Sequence, residues 1–109
     1  MVKTMILKNI FITLIADDTP QAVSEVPIYT TDFEIYSVST NGGNVYLLNA
    51  INADPDEWIP MAAGDKKNYV HGTGNMGGED PVLAFDLSKF YVSGRTAGDE
   101  IIIQYLAQG

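Results

Sequence analysis

The feature that most constrains this chain is its punctuation. Turn-forming clusters recur along it: Asn41-Gly42-Gly43-Asn44, the polar stretch Asn52 to Asp56, Ala63-Gly64-Asp65, the glycine-rich run Gly72 to Pro81, and Gly94 to Gly98. The intervals are roughly eight to twelve residues, too short for helices that bury a useful face and well matched to strands. The runs between them are β-branched and aromatic, as in "MILKNIFITLI" and "FEIYSVS", and carry no helix caps. An antiparallel β-sandwich or barrel follows, with no repeat of solenoid period.

Read in order, Met5 to Ile15 is an apolar first strand; in Asp17 to Asp32 Thr19-Pro20 could start a helix, but Pro27 leaves room for barely two turns, and an extended segment of edge-strand character is expected. Phe33 to Ser39 alternates apolar and polar residues, and Asn41 to Asn44 reads as the turn of a tight hairpin to Val45, because these residues tolerate positive φ. A short apolar piece at Trp58 to Met61 and strands at Asn68 to His71, Val82 to Phe85, Phe90 to Ser93 and Glu100 to Leu106 complete the set. The last two read as a closing hairpin. Gly94 and Gly98 are expected there for backbone freedom, and Arg95 and Asp99 for solvation. Ile101, Ile103 and Tyr105 alternate with Ile102 and Leu106, so both faces of the last strand are expected to be buried.

The 109 residues suit one domain spanning 1–109, and 46% hydrophobic against 18% charged residues is enough apolar surface for a globule. The net charge of −8, with no more than two basic residues together (Lys66, Lys67), disfavours nucleic acid and anionic membranes. Without cysteine there are no disulfides or thiolate metal sites. Lys8 and Asn9 interrupt the apolar start, which therefore reads as mature structure in place of a signal peptide or membrane span.

Chemical motifs are weak. Gly72-Thr73-Gly74-Asn75-Met76-Gly77 fits the letters of a dinucleotide fingerprint, but acids and Pro81 follow where a helix N-terminus would have to hold phosphate; a surface loop is expected. The acids at Asp54, Asp56, Glu57, Glu79 and Asp80 lack the spacing of a calcium loop and read as solvated turns. His71, the sole histidine, has no serine in a nucleophile elbow to serve; Ser37, Ser39, Ser88 and Ser93 lie in or beside strands. No catalytic, cofactor or metal residue is assigned, and an enzyme is not expected. Among the aromatic residues, Trp58, between Glu57 and Pro60, is the candidate for an exposed ring that could stack on a sugar or peptide.

Three stretches, "VPIYTTDFEIYSVSTNGGNVYLLNA", "WIPMAAGDKKNYV" and "DLSKFYVSGRTAGDEIIIQYL", resemble a family of small β-sandwich proteins from tailed-phage virions that decorate or cement capsids or build head appendages. The likeness covers about three-quarters of the chain and rests on turn and packing signals, which speak to fold more than to role. The apolar start lies outside it. The resemblance implies an all-β, single-domain antiparallel β-sandwich of jelly-roll-like type. It implies a homo-oligomer, a trimer, bound to the major capsid protein or another virion protein, made in the host cytoplasm and placed on the capsid surface. The N-terminal strand 1–15, through Ile6, Ile10, Phe11, Ile12 and Leu14, is then the candidate assembly interface. The alternative is a carbohydrate- or host-surface-binding module of a virion appendage, centred on Trp58.

Overall fold

A computed structural model describes residues 5–49, 58–70 and 84–108. The chain is all-β, and every strand pairing is antiparallel. Its strands are β1 (Met5–Thr13), β2 (Gln21–Ala22), β3 (Tyr29–Thr30), β4 (Asp32–Ser37), β5 (Val45–Leu48), β6 (Ile59–Met61), β7 (Lys66–Val70), β8 (Phe85–Asp86), β9 (Tyr91–Gly94) and β10 (Glu100–Gln108). One four-stranded sheet has the order β1-β10-β4-β7, a second the order β2-β9-β5-β6, and β3 pairs with β8 alone.

These pairings follow one rule. β1 lies against β10, β2 against β9, β3 against β8, β4 against β7 and β5 against β6, so the chain is a long ribbon doubled back on itself at the β5–β6 connection. Two further pairings, β10 with β4 and β9 with β5, roll that ribbon into the two sheets. Period-two alternation decides which side faces in: Phe33, Ile35 and Ser37 of β4 are buried while Asp32, Glu34 and Tyr36 are not. Ile101, Ile103 and Tyr105 do the same on β10, and Val45, Leu47 and Val92 supply the other sheet. With Ile12, Leu14, Val23, Met61 and Leu87 they form one core cluster. At one end Phe33 stacks on Tyr69 at 4.9 Å, meets Phe85 edge-on at 5.2 Å and lies tilted against Phe90 at 5.4 Å. Arrangements of this kind add to the burial of the rings themselves.

Two expected hairpins are absent. β4 and β5 belong to different sheets, as do β9 and β10, so Asn41 to Asn44 and Gly94 to Gly98 are arches between sheets. The two arches hold each other. Asp99 is only 7% exposed and its carboxylate accepts the Gly42 and Gly43 backbone N–H groups at 2.9 and 3.1 Å. The Asn41 side chain donates to the Glu100 carbonyl at 2.8 Å and accepts from the Glu100 N–H at 2.7 Å. Asp99 is therefore a buried clamp, not a solvating acid. Arg95 is exposed but engaged, with Nη1 3.0 Å from Asp18 Oδ1.

The two glycines of the last arch also differ in kind. Gly98 has φ +94°, a left-handed conformation that favours glycine. Gly94 does not; there a β-carbon would collide with the Leu14 side chain, so glycine is required by close approach. β10 buries Ile101, Ile103 and Tyr105 on one face, while Ile102, Gln104 and Leu106 on the other stay partly open.

A 3-10 turn, Leu87–Lys89, leads into β9 and is capped by Asp86, whose Oδ1 accepts from the Ser88 N–H at 3.0 Å and the Ser88 hydroxyl at 2.7 Å. The Ser88 hydroxyl bond is the main reason the Asp86 carboxyl sits below its ordinary range, with burial opposing and backbone N–H groups assisting. A depressed folded-state pKa contributes stability that is present above the unfolded pKa and is lost as pH falls through the folded one. Ser88→Ala should move the Asp86 titration midpoint upward, toward an ordinary carboxylate, and so shrink the stability this group loses as pH falls from its unfolded to its folded pKa. Side-chain carboxyl shifts followed by NMR would show it, and an unmoved midpoint would refute the cap.

Candidate functional site

The sheet containing β1 turns one face away from the core, and the registers fix what stands there. One row across β1, β10, β4 and β7 is Phe11, Ile102, Tyr36, Lys66. The next is Asn9, Gln104, Glu34, Asn68; beyond it Leu7 lies opposite Leu106, and Val70 opposite Asp32. The result is two apolar bands separated by a band of amides and one acid. Phe11 is 73% exposed and Leu7 61%, with Val70 at a similar level. Phe11, Tyr36, Lys66 and Ile102 also line a shallow depression on this face. Lys66 lies 5.4 Å over the Tyr36 ring and 3.9 Å from Glu34, a solvent-screened pair that contributes little to stability.

The same sheet has an open edge. Val38 N–H donates to the Glu100 carbonyl, and Ser37 exchanges hydrogen bonds with Asp65 and Gly64 on the β7 side. Backbone groups alternate sides along a strand, so the even residues of β10 bond β4 and its odd residues bond β1. With Ile101 opposite Ile12 and Ile103 opposite Ile10, the even residues of β1 are the ones engaged. Leu14 agrees, exchanging bonds with Asp99 and Gly98. The N–H and C=O groups of Met5, Leu7, Asn9, Phe11 and Thr13 therefore point outward from the edge.

Its far end is closed: the Gln21 side chain donates to the Thr13 carbonyl at 3.3 Å and accepts from the Ile15 N–H at 3.2 Å. Beyond that cap, no described strand pairs with the outer side of β1. The opposite edge, β7, carries Lys66 and Lys67, the kind of charge that discourages strand addition. β1 carries only Lys8.

The expected assembly residues divide accordingly. Ile12 and Leu14 are buried in the chain's own core and Ile10 packs against it, whereas Ile6 and Phe11 are exposed. Leu7, Ile102, Leu106 and Gln21 join the exposed face or its edge and were not singled out from the sequence. The signal was present in β1 itself, where apolar residues occupy both alternating sets.

Trp58 is half-buried on the second sheet's outer surface, its ring 5.6 Å from that of Tyr46. Tyr46 accepts from Arg95 Nε at 3.3 Å and the guanidinium lies 5.5 Å over its ring. The Tyr46 hydroxyl bond, then the charges of Tyr46 and Asp18, raise the Arg95 pKa. Ser93, opposite Tyr46, is fully buried, and its hydroxyl is the one buried side-chain polar atom among the described residues without a hydrogen-bond partner. Ser37 and Ser93 lie within strands, as expected. His71, the run Gly72 to Pro81, and the acids Asp54, Asp56, Glu57, Glu79 and Asp80 lie outside the described residues. Among those that are described, no group of three or more His, Asp or Glu gathers as metal ligands do.

Comparison with protein-family models, curated proteins and solved structures finds no match.

Proposed function

We propose that this chain is a non-enzymatic structural protein of a tailed-phage virion, a jelly-roll β-sandwich that decorates or cements the capsid exterior by binding its own copies and the major capsid protein. The observation that carries the reading is the combination, in one sheet, of an outward apolar face and an edge strand, β1, whose outer side no described strand pairs. Such surface is a liability for a protein that acts alone and an asset for one that is buried on assembly. The strand order supports the jelly-roll assignment: an antiparallel ribbon, doubled back and rolled so that its paired strands alternate between two sheets, is how such a fold is wound. Jelly rolls serve as shell and lectin domains alike, so the fold alone does not choose the role.

The test pairs particles with solution behaviour. The chain should co-fractionate with density-purified virions and self-associate with rising concentration in sedimentation equilibrium. Leu7→Glu combined with Phe11→Glu should abolish that association while changing unfolding free energy by no more than about 1 kcal/mol, because both positions are exposed. A strict monomer that is missing from particles would overturn the proposal.

A second reading, a carbohydrate- or host-surface-binding module, draws on the adjacent rings of Trp58 and Tyr46. Titration of Trp58 fluorescence with a panel of glycans distinguishes the two.

A further inference from the structure

We infer that the open edge of β1 is completed by β1 of a second copy, antiparallel, about a twofold axis at Asn9. This rests on the assembly reading and replaces the trimer implied by the family resemblance with a twofold pair as its basic unit.

The register follows from which backbone groups are free and which side chains oppose each other. Outward groups belong to odd residues, so any hydrogen-bonded pair joins an odd residue to an odd residue. An axis at Asn9, the midpoint of β1, pairs Asn9 with its copy, Leu7 with Phe11 of the second copy, and Lys8 with Ile10. Three free residues on each copy then exchange both their hydrogen bonds. The most exposed apolar side chain of this strand meets an exposed leucine on the outer face, a favourable aromatic–aliphatic cross-strand pair.

Neighbouring registers are worse. An axis at Lys8 engages every free residue from Met5 to Phe11 but sets Lys8 directly opposite Lys8 at the closest strand spacing, where like charges repel. An axis at Ile10 pairs Leu7 with Thr13, whose carbonyl Gln21 already occupies, so only Asn9 and Phe11 pair in full, whereas the Asn9 axis sets only Met5 against that blocked position. Lys8 thus forbids one register and Gln21 disfavours the other.

The two sheets would join into one of eight strands, extending the bands of Phe11 and Leu7 across both copies. Strand addition of this length buries roughly 1,000 Å² over the two copies, the lower limit for a specific interface, so the pair should depend on concentration.

The chain contains no cysteine, which makes single-cysteine variants clean reporters. Under mild oxidation Asn9→Cys should run at doubled mass on a non-reducing gel, since residues paired across the axis stand about 5.5 Å apart at Cα, within disulfide reach. Lys8→Cys should link only slowly. Leu7→Cys and Phe11→Cys should each stay single yet link to one another when mixed, which holds even if the Asn9 variant folds poorly. Lys8→Cys linking faster than Asn9→Cys, or no linkage in the mixed pair at concentrations where the wild type sediments as an oligomer, overturns the inference and leaves the assembly reading standing. A wild-type chain that stays monomeric at every concentration overturns both.

Discussion

Replacing Asp99 by alanine should lower the unfolding free energy by about 3 kcal/mol. Its carboxylate is buried and receives two backbone N–H groups, from Gly42 and Gly43, which lose this acceptor when the side chain is removed. Hydrogen bonds to a charged group contribute about 1.5–3 kcal/mol each, and the partly open glycine turn recovers some of that by hydration. Asp99→Asn keeps the shape and one oxygen, so it should lose about half as much. Urea unfolding of the two variants is the measurement. A change in Asp99→Ala smaller than about 0.5 kcal/mol would mean that the carboxylate merely solvates a loop.

The second large effect lies at the contact between Leu14 and Gly94. Leu14 is fully buried, and truncation to alanine should cost about 3 kcal/mol from lost transfer energy and the cavity left behind. Gly94→Ala should cost about 2 kcal/mol, because the new methyl group enters space that the Leu14 side chain already fills. The double variant is the sharper result. The alanine at 94 occupies part of the cavity opened at 14, so the combined loss should fall short of the sum by about 1 kcal/mol or more. Additive losses would show that the glycine is there for another reason.

Much of the fold could be read from the sequence, because strands announce themselves by composition and turns by glycine, asparagine and proline. β1, β4, β5, β9 and β10 lie within or close to the expected runs. Pairing could not be read in the same way. Asn41 to Asn44 has the residue types of a tight hairpin, but such a turn only reverses the chain; whether the next strand stays in the sheet depends on contacts that local sequence does not encode. Asn41 and Asp99 reveal the difference only when the two arches are seen together.

The candidate site was half legible for a related reason. The apolar character of β1 marked it, yet the five residues chosen mixed the two faces, since Ile12 and Leu14 on one and Phe11 on the other are equally hydrophobic as letters. Gln21 has no sequence signature at all, because its part in the edge comes from a side chain reaching across from the other sheet.

The doubled ribbon also sets a folding problem. Its tip, β5 with β6, needs only local closure, whereas β1 and β10 bring opposite ends of the chain together, the most costly loop the molecule has to close. Such topologies fold slowly, on the order of milliseconds to seconds, and pairing should advance from the tip toward the ends. The strand that closes last would then be the same one whose outer edge stays open, so a newly made chain presents that edge in its final form only once the rest has been wound.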